Sequence, residues 1–297
     1  MKKHLLIYNP WAGHGAAGKK LPQVMAYLEE IQLDVELMET HKAGEATTYV
    51  AEADFSKYEG IIAAGGDGTL YEVINGYYAN TSAKRIPIGV LPVGTGNAFV
   101  RDMNLLKSNW KKALDIIKAK KTRKIDVGSY VMDGETYYFL NILGLGFVAD
   151  VGVTAKGLKI FGNFSYTLGV LWQMIFLKPF DVTIEIDGQI YNRKNIFIEI
   201  SNTRYTADFL MAPNAKTDDG LLDITLLNPA SRFRLLTSFP KIITGEHIHM
   251  DEVETFQAKN IKVSTQPQKI LTPDGELLGS TPIDVTCIKE GVEIYWL

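Results

Sequence analysis

The chain of 297 residues has a single cysteine, Cys287. An internal disulfide is excluded, and a reducing compartment is expected. Cys287 sits in the strand-like run from Val285 to Ile288, which suits a packed core thiol better than a reactive one. Long hydrophobic runs are also missing. The longest apolar stretch, Leu168 to Leu177, falls short of the roughly 20 residues a membrane helix needs. Lys2 and Lys3 precede only a brief apolar run, Leu5 to Tyr8, and then Asn9-Pro10, so no export leader is expected. These absences imply a cytoplasmic protein that can touch a membrane without crossing it. A basic excess is lacking too. The net charge is −3, which gives no global field to recruit nucleic acid, and none is expected as a partner. There is no Cys/His zinc spacing, no Gly-x-Ser-x-Gly elbow, no internal repeat and no low-complexity linker.

What is present is an ordinary globular balance, 46% apolar and 22% charged, in a length that suggests about two domains. Up to about residue 125, short apolar runs alternate with helical patterns. "HLLIYNP", "LDVELME", "GIIAAGG" and "IPIGVLP" read as strands. Residues 15–31, 43–53, 70–78, a segment from about Asn97, and 110–120 read as helices. That alternation predicts a doubly wound parallel sheet. After Asp126 β-type runs dominate, from "YYFLNILGLGF" to "VEIYW". Asp133-Gly134 and Asp187-Gly188 lie between such runs as hairpin turns. One helix-like apolar segment, near 164–177, interrupts them. The expected fold class is α/β: an N-terminal doubly wound parallel-sheet nucleotide domain, then a mostly antiparallel domain, a β-sandwich or open barrel.

Three strands of the first part run directly into glycine-rich loops. These are Asn9-Pro10-Trp11-Ala12-Gly13, Gly65-Gly66-Asp67-Gly68-Thr69 and Gly94-Thr95-Gly96-Asn97. In a parallel sheet those strand ends share one edge, where ligands bind. Glycine lets the backbone approach a phosphate closely, and the following helices add positive dipole ends. A carboxylate at Asp67 within such a cradle points to a triphosphate with Mg²⁺ rather than a bare phosphate. Thr69 and Thr95 supply hydroxyls at helix starts, where simple N-capping is the plainer role. The stretch "GHGAAGKK" is ambiguous by itself. Gly13, Gly15 and Gly18 have dinucleotide spacing, with Glu36 or Glu39 available as the acidic partner. Gly13, Gly18 and Lys19 nearly make a P-loop, but Lys20 stands where a magnesium-holding Ser or Thr is required.

"GGDGTLYEVINGY" followed by "IGVLPVGTGNAFVRDM" resembles the diacylglycerol-kinase catalytic domain, and more closely the bacterial lipid kinases related to diacylglycerol and sphingosine kinases. The resemblance runs from "YNPWAG" through "GTGN" and "TDDGLLD" to "PDGE". "GGDGT" alone is shared with NAD kinases and phosphofructokinases. The resemblance implies a nucleotide domain over 1–126, a β-rich substrate domain over 127–287, and a return of 288–297 to the first. It implies ATP held by Asn9, Pro10, Trp11, Ala12, Gly13, Thr40, Gly66, Asp67, Gly68, Thr69, Leu70, Tyr71, Glu72 and Thr95. "GHGAAGKK" then becomes helix-start material.

Phosphoryl transfer to an alcohol needs positioning, charge stabilisation and a base. The resemblance gives the base as Glu276, with Asp274 beside it to orient it or to help hold magnesium. By pattern alone Asp274-Gly275-Glu276 is equally a hairpin turn, as Asp133-Gly134-Glu135 is. The resemblance also implies a structural Mg²⁺ on main-chain oxygens of Lys216 and Leu221 and the Asp219 carboxylate, an all-oxygen set that suits a hard cation. His247-Ile248-His249 reads as strand-like alternation on a solvated face. Phe161 to Phe180 reads as a core-facing helix or an acyl-chain groove. The basic stretch Lys107 to Lys124 reads as a solvated helix face or an attraction for anionic lipid. The expected function is ATP-dependent phosphorylation of a lipid hydroxyl, with peripheral membrane contact and a homodimer as accompanying expectations. The alternatives are a NAD kinase-like phosphotransferase and a non-catalytic nucleotide- or lipid-binding regulator.

Overall fold

The computed structural model describes residues 2–146 and 178–297; the apolar segment at 161–177 lies outside them. The chain divides into two units, Met1–Val127 with Lys289–Leu297, and Gly128–Ile288.

The first unit is built on a parallel sheet. Strands β1 (Lys3–Tyr8), β2 (Val35–Glu39), β3 (Tyr58–Gly65) and β4 (Ile88–Pro92) lie in the order β2-β1-β3-β4. Leu5, Leu6 and Ile7 pair with Glu36, Leu37 and Met38 on one side and with Ile61, Ile62 and Ala63 on the other. The central strands are buried along nearly their whole length, as a sheet covered on both faces requires. Helices α1 (Ala16–Glu30), α2 (Glu45–Glu52), α3 (Asp67–Ala79), α4 (Ala98–Asp102) and α5 (Trp110–Ala119) connect the strands. Each longer helix turns an apolar stripe inward: Ala17, Val24 and Leu28 on α1, Leu70, Val73, Ile74 and Tyr77 on α3, Ala113, Leu114, Ile116 and Ile117 on α5. At the end of the chain, Ile294 pairs with Ile88, Tyr295 is buried, and the Trp296 ring meets Phe99 edge-on at 6.0 Å.

The basic stretch is spent largely on this unit's own surface. The Lys111 ammonium lies 4.5 Å from the Tyr27 ring centre, Lys118 donates to the Gln32 carbonyl at 2.7 Å, and Lys120 pairs with Glu59 at 2.5 Å.

The second unit is antiparallel. It holds β5 (Thr122–Met132), which enters from the first unit, β6 (Glu135–Phe139), β7 (Ile142–Gly146), β8 (Phe180–Ile186), β9 (Gln189–Asn195) and β10 (Phe197–Ser201). It continues through β11 (Tyr205–Thr206), β12 (Phe209–Leu210), β13 (Leu222–Leu227), β14 (Val253–Ala258), β15 (Asn260–Gln266), β16 (Leu271–Pro273) and β17 (Ile283–Tyr295), which runs on into the first unit. One sheet has the order β14-β13-β10-β7-β16; β9, β8, β15 and β17 pair successively in another. Between them lies a single apolar cluster that includes Leu143, Leu145, Ile184, Ile198, Ile200, Ile224, Ile261, Val285 and Cys287. β8 shows the logic: Phe180, Val182, Ile184 and Ile186 are buried, and Asp181 and Thr183 are exposed. The arrangement is a β-sandwich. Both predicted hairpin turns form, with positive φ at Asp133, Gly134, Asp187 and Gly188 as a type I′ turn demands.

One element was not foreseen and one expectation is overturned. Residues 232–244, to which the sequence reading assigned no element, form a helix, α6 (Arg232–Thr244), within the β-rich part. Its β-branched residues and Pro240 hide the period. Its boundaries are nonetheless marked: the Ser231 hydroxyl accepts from the Arg234 amide at 3.2 Å, and Gly245 closes the helix at φ 80°. His247-Ile248-His249 is no solvated strand but part of a 3₁₀ turn, Glu246–His249. His247 is buried there with Nε2 3.0 Å from the Met211 carbonyl, and burial lowers its pKa.

Candidate functional site

In the first unit the three glycine loops lie at the C-terminal ends of β1, β3 and β4 and are tied to one another. The Asn9 amide nitrogen donates to the Ala64 carbonyl at 2.9 Å. Its side chain works in two directions: Oδ1 accepts from the Trp11 amide at 3.0 Å, and Nδ2 reaches Thr69 Oγ1 at 3.2 Å. Loop one is thus fastened to loop two. Loop two is fastened to loop three by the Gly65 carbonyl, which accepts from Val93 and Gly94 at 3.1 and 2.8 Å. Backbone lies on backbone at this seam: a Cβ on Gly94 would sit 2.4 Å from Gly66 Cα, so only glycine fits. Asn97, buried at φ 48°, completes loop three by donating from Nδ2 to the Gly94 carbonyl at 2.9 Å.

Asp67 has a role that its motif does not reveal. Its carboxylate reaches the amides of Ala98 and Phe99 at 3.0 and 3.3 Å, at the start of α4. A carboxylate in a phosphate loop calls for a cation only when its charge is unmet, and two backbone donors meet this one. The cation expected from Asp67 is therefore not demanded by electrostatics. Capping is also not the work of the threonines. Thr69 is buried with its hydroxyl against Asn9, Thr95 is exposed, and the N-cap positions of α3 and α4 are Gly66 and Asn97.

The remaining residues expected to hold a nucleotide separate into those beside the loops and those turned away from them. Thr40 is buried beside loop one, with its amide on the Tyr8 carbonyl at 2.9 Å. Pro10 accepts from the Gly18 amide at 2.9 Å, Trp11 is 69% exposed, and Ala12, Gly13 and Gly68 are partly exposed. Leu70 and Tyr71 point into the core. Glu72 does not line the loops: its carboxylate accepts from Gly44 and Ala46 at 2.9 and 3.1 Å and so caps α2. "GHGAAGKK" is a left-handed turn at Gly13, His14 and Gly15 that launches α1 at Ala16.

The second unit carries the acids. Asp274 and Gly275 have φ of 47° and 88°, and the Glu276 amide closes on the Pro273 carbonyl at 2.8 Å, so the segment is a tight turn. Asp274 is nearly fully buried. Its carboxylate takes three consecutive amides, Leu140, Asn141 and Ile142, at 3.0, 2.8 and 3.0 Å. Glu276 beside it is exposed. Asp274 thus fixes the turn from which Glu276 projects.

At the second predicted metal position, Asp219 Oδ1 accepts from the Leu221 amide at 3.0 Å within a turn that includes Gly220 at φ 84°. Nearby Asp223 is pushed up to about 6, mainly by burial, with Asp219 adding to the rise. It lines a 320 Å³ cavity with Asn214, Thr225, Thr255 and Gln257. Of the expected set the Asp219 carboxylate is the side-chain oxygen, a donor type that suits a hard metal, and none of Lys216, Asp219 and Leu221 lines that cavity. No cluster of three or more His, Cys, Asp or Glu side chains suited to a metal exists among the described residues.

One carboxyl that no motif singles out is Glu199, the lone acid in the strand run 195–200. It is buried between Gly144 and Thr225 on the neighbouring strands, accepts from Ser201 and Thr206 at 3.1 and 2.7 Å through Oε1, and has Oε2 without a hydrogen-bond partner. Burial pushes it up to about 7.

Residues 3–130 match the model of the diacylglycerol kinase catalytic domain, and residues 141–296 match the YegS C-terminal NAD kinase beta sandwich-like domain. A diacylglycerol kinase of Staphylococcus carnosus (strain TM300) is 33% identical, over 99% of this chain and 95% of that protein. The chain belongs to the diacylglycerol kinase family. A Bacillus subtilis (strain 168) diacylglycerol kinase is 32% identical, over 95% of this chain and 92% of its own length. A solved structure of a diacylglycerol kinase from Bacillus anthracis str. Sterne superimposes with a TM-score of 0.75 at 26% identity, covering 100% of this chain and 97% of that one. The α/β-plus-sandwich fold of this lipid kinase is therefore the family's. No described helix is long and apolar enough to cross a membrane.

Proposed function

We propose that this lipid kinase transfers the γ-phosphate of ATP to the hydroxyl of a diacylglycerol-like lipid, with Glu276 as the general base. The observation that carries the nucleotide part is the seam of three knitted glycine loops at one edge of the parallel sheet. Asn9 to Gly13, Thr40, Gly66 to Thr69 and Thr95 hold the triphosphate, and the start of α3 faces it with its positive end. Leu70 and Tyr71 support this site from the core, and Glu72 supports it by fixing α2. The first unit is the nucleotide domain and the second the substrate domain.

Glu276 is solvent-accessible and held on a rigid turn, which suits a carboxylate that must accept a proton from an incoming alcohol. Asp274 is a positioning residue. Mg²⁺ at Asp67 would neutralise charge on the transferring phosphates. A second Mg²⁺ on Lys216, Asp219 and Leu221 is structural. Placement in the cytoplasm supplies the ATP.

The test is radiolabelled ATP with Mg²⁺, offered separately with diacylglycerol micelles and with NAD. The NAD arm is included because the second half matches a sandwich of NAD-kinase type. Label passing into organic solvent only in the lipid arm is the expected result. Label retained in water as a phosphorylated dinucleotide would replace this reading with a soluble acceptor.

A further inference from the structure

Helix α6 is apolar on two sides. At 100° per residue, Leu235, Ser238, Phe239 and Ile242 share one face. Leu235 and Ser238 are buried, and the Phe239 ring meets Phe209 edge-on at 5.6 Å. That face belongs to the second unit's packing. Phe233, Leu236, Pro240 and Ile243 fall on the other side. Phe233 is 78% exposed, Ile243 56% and Leu236 39%, and Pro240 is exposed as well. A surface helix ordinarily turns polar side chains outward. This one presents a continuous outward apolar stripe.

The charges on the helix itself are of one sign. Residues 232–244 include Arg232, Arg234 and Lys241 and no Asp or Glu. Arg234 is paired with Glu252 at 2.9 Å. Arg232, which is exposed, lies at the stripe's edge beside Ile243; Lys241 lies about 80° beyond the other edge, on the side of Arg234, and its charge also reaches Glu252.

We propose that the outward face of α6 docks on an anionic lipid bilayer. Phe233, Leu236 and Ile243 enter the boundary between headgroups and acyl chains, while Arg232 and Lys241 meet lipid phosphates. An outward apolar stripe bordered by cations is the pattern of an interfacial helix, and a positive helix is complementary to an anionic leaflet. The proposal rests on the lipid-kinase reading only in taking a bilayer as the place where the substrate is met.

The test is co-sedimentation of the full chain with vesicles of phosphatidylcholine, alone or mixed with phosphatidylglycerol. The parental chain should prefer the mixed vesicles. Phe233→Glu/Ile243→Glu should lower that binding at least about tenfold, and Arg232→Glu/Lys241→Glu should abolish the preference for anionic lipid. These positions are on the surface, so melting temperatures should stay close to the parental value. As an independent probe, Phe233→Cys labelled with an environment-sensitive fluorophore should shift its emission to the blue on mixed vesicles; the native thiol, Cys287, is buried. Parental chain that fails to bind, double variants that bind like the parent, or a label whose emission does not move would each overturn the proposal. So would Phe233→Glu/Ile243→Glu splitting a parental dimer while leaving vesicle binding intact. Transfer from ATP to dispersed short-chain diacylglycerol, measured on the parental chain, reads the enzymatic assignment separately. Binding without transfer sinks that assignment and spares the docking face; transfer without binding does the reverse.

Discussion

The second unit contains the tripeptide Asp-Gly-Glu twice, at 133–135 and at 274–276, and folds both into turns with the first two residues at positive φ. The backbones are alike and the surroundings are not. At the first, all three residues are exposed, and the turn does nothing beyond reversing β5 into β6. At the second, the aspartate is drawn inside and takes three amides in a row from 140–142. A turn of the first kind is held by local chemistry alone. A turn of the second kind is bolted to a neighbouring strand, so the side chain that follows it has a fixed bearing. The same three letters give a locally held turn in one place and an anchored one in the other.

The largest test of that contrast is kinetic. Glu276→Gln should reduce phosphate transfer from ATP to diacylglycerol by roughly 10²–10⁴, while Glu135→Gln should leave it at the parental rate. Equal rates in all three proteins, each with an unchanged melting temperature, would remove Glu276 as base. Next is stability. Asp274→Ala orphans three buried amides and should cost about 3 kcal/mol or more in urea unfolding. Asp133→Ala, in the exposed turn, should cost about 1 kcal/mol. Similar losses at both would erase the distinction.

Glu199 sharpens the comparison from another direction, because it is a buried acid to which the structure gives two hydroxyls and no amide. Its pKa is raised, from 4.5 to about 7. Below pH 4.5 it is protonated whether the chain is folded or not, and its contribution is full. Between there and pH 7 unfolding releases its proton, so stability falls as pH rises, by about 3 kcal/mol once the titration is complete. Glu199→Gln should flatten that slope in unfolding measured from pH 4 to 8. A slope unchanged in the variant would show that another group titrates. Asp187→Ala at the β8–β9 turn removes a carboxylate that accepts from the exposed Lys259 and Asn260 amides at 3.2 and 2.9 Å; it should cost about 1–2 kcal/mol, less than Asp274→Ala, and leave transfer untouched.

The parts of this molecule written in short windows of sequence were legible. The three glycine loops, the two hairpins and the burial of Cys287 follow from residues that specify their own turns or strand faces. What stayed hidden depends on which distant segment comes to lie alongside. Asp67 caps α4 from thirty-one positions upstream, and Glu72 caps α2 from twenty-six downstream; neither partner is marked in either stretch. Helix α6 was masked by its β-branched residues, although Ser231 and Gly245 bracket it. His247 looked exposed because its neighbours are polar, and its partner, the carbonyl of Met211, lies thirty-six positions upstream. Glu199 is a single polar letter in an apolar word, and the sheet that surrounds it is assembled from five separate segments.

The contact of Gly94 on Gly66 has one further consequence. With main chain pressed against main chain there is no side chain between the two loops to rotate aside, and so no soft element to absorb a displacement. A side chain added to Gly94 could be housed only by moving the main chain of the other loop.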